Sequence, residues 1–122
     1  MSDIHIQDSG PERATVADYT AIVSSLREFW GERDVRHLHH PLFVRELGET
    51  SLVLRGPHGT IDAYLFGFVA PSRVGYVHVV GVRSSRRRQG LARQLYYAFT
   101  RLALERGAVT LKAITTPTNT LG

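Results

Sequence analysis

Residues 76–115 switch between the two backbone periodicities in a way that few folds accommodate. Tyr76 to Val82 is an apolar run of strand length, Leu91 to about Arg106 repeats its apolar residues at helical spacing, and Val109 to Thr115 is again a strand. Between the first strand and the helix stands Arg86-Arg87-Arg88-Gln89-Gly90-Leu91-Ala92. A strand, a helix and a strand in succession form a right-handed crossover, so the two strands are expected to be parallel. The same order of elements builds an anion site. Gly90 lets the main chain approach a ligand with no side chain in the way. The first N–H groups of the helix have no partner within it, and the aligned peptide dipoles leave them partly positive. A pyrophosphate suits that place, and arginine side chains would add bidentate ion pairs. The alternative is a basic, solvated loop ahead of a helix. The Gly-Lys-Ser/Thr of a triphosphate loop and the Gly-x-Gly-x-x-Gly of a dinucleotide fold are both absent.

The rest of the chain supplies a sheet for this unit to join. Ile4 and Ile6 alternate with polar neighbours and suggest a short first strand. Val16, Tyr19, Val23, Leu26 and Trp30 form the apolar stripe of one helix of about 15 to 18 residues, ended by Gly31. A second helix, interrupted by Pro41, is expected over 34–47. Thr50 to Arg55, Ile61 to Val69 and Tyr76 to Val82 read as three strands with short turns between them, hence antiparallel neighbours. Leu91, Leu95, Ala98, Phe99, Leu102 and Ala103 are the expected buried face of the later helix, with Gly107 as its stop.

Composition narrows the classes. A chain of 122 residues is expected to be one domain, 1–122, with a single real core. It has no cysteine, which excludes disulfides, thiolate catalysis and zinc–thiolate sites. No apolar run approaches the roughly 20 residues that span a bilayer, and no secretory signal opens the chain, so a cytoplasmic protein without a membrane partner is expected. The net charge is +4, and all but one of the 15 basic residues are arginine. Such a balance suits a polyanionic ligand, either a nucleotide cofactor or a nucleic acid.

The segment Val80-Gly81-Val82-Arg83-x-x-x-Arg87-x-x-Gly90-x-Ala92 resembles the acetyl-coenzyme A signature of the GNAT acyltransferase superfamily. The order strand, helix, helix, three antiparallel strands, helix, strand is similar as well. The resemblance implies an α/β fold of three layers. Its mixed, mainly antiparallel sheet splays between the fourth and fifth strands to hold acetyl-CoA. The N–H groups of Arg87, Arg88, Gln89, Gly90, Leu91 and Ala92 would hold the pyrophosphate. The main chain of Val80, Gly81 and Val82 would pair with the pantetheine arm. Asn119 resembles the family asparagine that opens the next helix and contacts the cofactor arm. Alanine at 92 replaces the second glycine, a variant the family accepts. Members continue past this asparagine with a helix, often bearing a tyrosine that protonates the departing thiolate, and with further strands. On that comparison the chain is expected to be C-terminally incomplete. No metal is implied, and a homodimer is common in similar proteins.

Acetyl transfer to an amine requires the amine to be neutral when it attacks, although alkyl amines are mostly protonated near pH 7. His78 is the candidate base, because strand alternation puts Tyr76, His78, Val80 and Val82 on one face and a histidine titrates near neutrality. A buried strand histidine bonded to main chain is the other reading. Tyr76 would then be a relay or an acceptor-pocket residue. The Val82 N–H would donate to the oxyanion. His37-x-His39-His40 has metal-like spacing but no acidic partner, so a helix end or pocket wall is expected. The resemblance implies that Phe29, Trp30, His37, His39, His40 and Phe43 are candidates for contact with the amine acceptor, a small molecule or a peptide. Packing in the core is the plainer role for Phe29 and Trp30. Two rival functions stand beside acetyl transfer: a catalytically silent acyl-CoA sensor on the same fold, and a nucleic-acid-binding module that uses the arginine run.

Overall fold

The computed structural model describes residues 10–113. The strand expected at Ile4 and Ile6, Asn119 and the tail after Ala113 lie outside the described residues. The elements are β1 (Glu12–Arg13), α1 (Val16–Ser24), α2 (Leu26–Trp30), α3 (Leu42–Arg45), β2 (Leu52–Arg55), β3 (Ile61–Val69), β4 (Val74–Val82), α4 (Leu91–Glu105) and β5 (Thr110–Ala113). The five strands lie in sequence order, antiparallel except for β4 and β5, which run parallel across the α4 crossover. This is the mixed α/β sheet expected from the pattern of elements.

α1 starts at a capping box. The Asp18 N–H donates to Thr15 Oγ1 at 3.1 Å, and the Thr15 N–H donates to Asp18 Oδ2 at 2.9 Å. The single long helix expected over Val16–Trp30 is two. Ser25 Oγ donates to the Ala21 carbonyl, and Ser25 leaves helical geometry at φ −125°, ψ 25°, so the chain turns before α2. Gly31 ends α2 as expected, at φ 63°. The expected helix over 34–47 is a 3₁₀ turn at Arg36–Leu38 followed by the short α3. The cause is Pro41, which disfavours helical geometry at the residue before it and is itself suited to a helix start. A further 3₁₀ turn at Gly48–Thr50 delays β2 to Leu52.

The sheet has a hydrophobic layer on each face. Val53, Tyr64, Phe66 and Val79 pack beneath Ile22, Phe29 and Phe43 of α1–α3. Leu52, Leu54, Ala63, Leu65 and Val77 pack beneath Leu95, Phe99 and Ala103 of α4, with Leu91, Ala98 and Leu102 at the margin. The helical stripe expected for α4 is therefore the face it buries. Each fully buried Leu or Phe adds roughly 1.5–3 kcal/mol, so α4 is anchored mainly by three residues one turn apart.

One irregularity in β4 shapes the site. Phe66 pairs with Val79, and the next residue, Gly67, pairs with Val77, which leaves His78 as an extra residue without a partner on β3. Such a bulge reverses the facing of everything beyond it. Val77 packs toward α4, whereas Val79 packs toward α1–α3.

Candidate functional site

The bulge overturns one expectation from simple alternation. Tyr76, His78, Val80 and Val82 do not share a face. Tyr76 stacks on Phe68, at 5.4 Å between ring centroids, and His78 stacks on Phe43 at 4.7 Å, both on the α1–α3 side. Val80 and Val82 send their side chains to the α4 layer. Their main chains still face the open edge of β4. The Arg83 N–H donates to Asp62 O at 2.8 Å, toward β3. All described peptides are trans, so the Val82 carbonyl points the opposite way. In an extended residue N–H and C=O lie on the same side. Val82, and Val80 two residues earlier, thus turn both groups away from β3. Among the described residues, β5 covers this edge only from Val74 to Val77.

At the end of that edge the chain makes a 3₁₀ turn at Ser84–Arg86, then passes Arg88 at φ 67° and Gly90 at φ 78° into α4. Gly90 takes the left-handed conformation without the penalty a side chain would bring. No side chain caps α4. Its first backbone bond runs from the Gln94 N–H to Gly90 O. Among the described residues, the N–H groups from Arg87 to Arg93 have no partner, and Arg88, Gln89 and Gly90 are exposed. The turn is a set of free donors at the positive end of a 15-residue helix.

The arginine side chains are used differently from the sequence expectation. Arg87 Nη2 donates to Phe29 O at 2.6 Å, and its Nε reaches Val82 O at 3.4 Å, tying α2 to the end of β4. Arg86 lies 3.4 Å from Asp62 Oδ2. Arg83 donates to Ile61 O through Nε and Nη2, pairs with Glu28 and covers the Phe29 ring at 4.8 Å. These three guanidinium groups brace the loop. They are engaged within the protein; Arg87 and Arg88 are both exposed, and Arg88 is the one of the 86–88 run that no contact among the described residues holds.

Across from β4, the segment between α2 and α3 is held down by a buried chain of hydrogen bonds. Trp30 Nε1 donates to Tyr64 Oη at 2.8 Å, Tyr64 Oη lies 2.6 Å from His39 Nε2, and His39 Nδ1 lies 2.8 Å from Val35 O. Val35 O can only accept, so His39 carries its proton on Nδ1 and receives the Tyr64 hydroxyl on Nε2. Burial lowers the His39 pKa, and nearby His78 and His37 lower it further, against the opposing bond to Val35. Burial raises that of Tyr64. Tyr64 lies opposite Gly81, where a Cβ would sit 2.6 Å from its ring. The ring therefore reaches the β4 backbone only because residue 81 has no side chain.

His78 is half-buried. Burial lowers its pKa, a main-chain bond to Leu38 opposes this, and His37 adds to the lowering. Burial thus favours the neutral imidazole, the form able to accept a proton. Phe43 belongs to the core and to this site at once, stacking on both His78 and Phe66. Phe29 is 1% exposed, under Arg83 and against Tyr64, which closes it to an acceptor. Trp30 is half-buried and tied to Tyr64. His37 and His40 are exposed, and His40 Nδ1 accepts from the Leu42 N–H. No group of three metal-binding side chains occurs among the described residues, nor is any described helix long and apolar enough to cross a membrane. A cavity of about 560 Å³ lies elsewhere, lined by Arg13, Thr15, Glu46, Glu49 and Arg106. The Arg106–Glu49 ion pair occupies its rim. It contains none of the candidate residues.

The chain belongs to the acetyltransferase (GNAT) family, whose model matches residues 10–121. No curated protein matches. Solved structures share the fold. A diaminobutyrate acetyltransferase from Paenibacillus lautus, in complex with L-2,4-diaminobutyric acid and coenzyme A, is 23% identical with a TM-score of 0.74. Naa20 of Chaetomium thermophilum, in complex with a bisubstrate analogue, is 17% identical with a TM-score of 0.70. AAC(6')-Iy, bound to CoA-S-monomethyl-acetylneamine, is 19% identical with a TM-score of 0.66. Each match covers 89% of this chain, and 66%, 63% and 80% of those chains respectively. The chain thus spans about two thirds of the length of the first of them.

Proposed function

We propose that the protein transfers an acetyl group from acetyl-CoA to a primary amine by direct attack. One observation carries this reading: unpartnered amides of residues 87–92 stand at the end of a strand edge whose Val80 and Val82 main chains face outward. The residues fit the co-substrate. The amides hold its pyrophosphate, and the Val80 and Val82 main chains pair with the amide-bearing arm as a further strand would. Acetyl-CoA brings an activated acyl group and leaves as the free thiol. His78 takes the proton that the amine must lose, since burial favours its unprotonated imidazole. Tyr76 flanks the amine, Phe43 backs His78 from the core, and Asn119, outside the described residues, is proposed for the cofactor arm.

The nucleic-acid reading loses support from the same geometry. Arg83, Arg86 and Arg87 are bound within the protein and do not form a basic face. The deciding experiment follows melting temperature with acetyl-CoA, then thiol release with a panel of amines. Stabilisation by mass action together with thiol release supports the transferase. Stabilisation without thiol release from any amine would leave a silent acyl-CoA sensor, and no response at all would remove the proposed cofactor site.

A further inference from the structure

Resting on the acetyl-transfer reading, we propose that the acceptor is an amine carrying an apolar, aromatic-sized body and a carboxylate, and that Lys112 receives this carboxylate. The wall beside His78 is aromatic, and its partly exposed rings are joined from below by Phe43, which is 6% exposed. His78 stacks on Phe43, Phe43 lies 6.4 Å from Phe68, and Phe68 stacks on Tyr76. His78, Phe68 and Tyr76 are all partly exposed, so the surface is available to a ligand. At its far end Lys112, the chain's single lysine, stands in register with Tyr76 across the parallel pair. Its Nζ lies 6.0 Å from the Tyr76 ring centroid. The wall thus has a base at one end, a cation at the other and aromatic rings between them.

The charges favour an acid on the acceptor and disfavour a polycation. The charged neighbour that acts on His78 is His37, itself a base. The carboxylates of the adjoining segment are already matched: Glu28 to Arg83, Glu32 to Arg27 and Asp34 to Arg36. A polyamine would enter beside Lys112 with no carboxylate to receive it, which costs affinity through like-charge repulsion. An amino acid-like acceptor places its anion on Lys112 and its amine at His78. A flat ring between amine and acid, as in 4-(aminomethyl)benzoate, suits the stacked rings of Phe68 and Tyr76 that lie between base and cation.

The test compares kcat/KM for 4-(aminomethyl)benzoate, for 4-methylbenzylamine, which has the same body without the acid, and for kanamycin. Wild type should prefer the benzoate at least threefold over the neutral amine and use kanamycin worst. Lys112→Met should abolish the preference, Lys112→Glu should reverse it, and Lys112→Arg should retain it. Added salt should shrink it. Each variant is checked for an unchanged melting temperature and an unchanged acetyl-CoA shift, and the ratio between substrates cancels a general loss of activity. A ratio that is the same in wild type and Lys112→Glu, or a preference for kanamycin, overturns the inference while leaving acetyl transfer standing. Absence of thiol release with all three amines, when another amine of the panel does release thiol, overturns this inference alone; absence with the whole panel overturns acetyl transfer, and this inference with it.

Discussion

Replacing Tyr64 by phenylalanine removes one oxygen from the middle of a buried chain, and the structure sets the size of the effect. The ring stays, so contacts with Phe29, Phe66 and Gly81 are kept. Trp30 Nε1 loses its acceptor and His39 Nε2 its donor. His39 is only 8% exposed, so water cannot readily replace the hydroxyl there. Leaving a buried polar group unsatisfied costs about 1–3 kcal/mol. Trp30 is half-buried and recovers part of its loss from water. The sum is about 2–3 kcal/mol, or a fall in melting temperature of roughly 8–12 °C at ~4 °C per kcal/mol for a domain of this size. The assay is urea unfolding of four proteins: wild type, Tyr64→Phe, Trp30→Phe and the double variant. The double variant should be less destabilised than the sum of the singles by about 1 kcal/mol, because the donor orphaned by the first change is absent. A loss below about 0.5 kcal/mol for Tyr64→Phe, or strict additivity, would refute the argument that this chain pins the segment between α2 and α3 to the sheet.

Gly90→Asp should abolish stabilisation by acetyl-CoA, since it puts a carboxylate among the free amides; Gly90→Asn, which tolerates the left-handed backbone without the charge, should retain much of it in the same thermal-shift assay. Gly81→Ala should lower stability by about 1–3 kcal/mol, because its Cβ would sit 2.6 Å from the Tyr64 ring and the β4 backbone must move; an unchanged unfolding midpoint would contradict the close approach. His78→Ala should reduce turnover more at pH 7 than at pH 9.5, where the amine has begun to lose its proton unaided; equal loss at both would remove His78 as the base. Folded His39 and His78 have pKa values below the unfolded value of about 6.5, so the unfolded chain binds protons first as pH falls. Their contribution to stability is complete above about pH 6.5 and is lost below it, so melting temperature should decline from pH 7.5 to 5.5, and His39→Gln should flatten part of that slope.

Much of the frame was legible in the sequence because it rests on local periodicity. The α4 stripe from Leu91 to Ala103, the limits of β3 and the parallel crossover follow from spacing alone, and the Gly90 turn follows from strand, glycine and helix in order. What escaped was set by single residues acting against the local pattern. Ser25 splits a helix whose apolar stripe runs on unbroken, by offering its hydroxyl to the Ala21 carbonyl. Pro41 is visible in the sequence, but only the fold shows that it separates a 3₁₀ turn from a new helix instead of interrupting one helix. The bulge at His78 has no signature in Tyr76–Val82, since an extra strand residue is defined by its partner and not by its own sequence. The arginine run looked like a phosphate clamp because its internal acceptors, Phe29 O and Ile61 O, are main-chain atoms far away in sequence. Tyr64 did leave a trace: a lone glycine, Gly81, inside an apolar strand marks a place where something large must approach.

The single inserted residue in β4 has a consequence for how such a protein can change. Side chains ahead of the insertion and at it, Tyr76 and His78, belong to the aromatic wall proposed for the acceptor, whereas Val80 and Val82 are fastened to the opposite layer. Selection for a new amine can therefore rewrite Tyr76 without loosening α4 or disturbing the free amides at its start, while His78, the proposed base, is kept. One strand carries two separable inheritances, one free to drift and the other held fast.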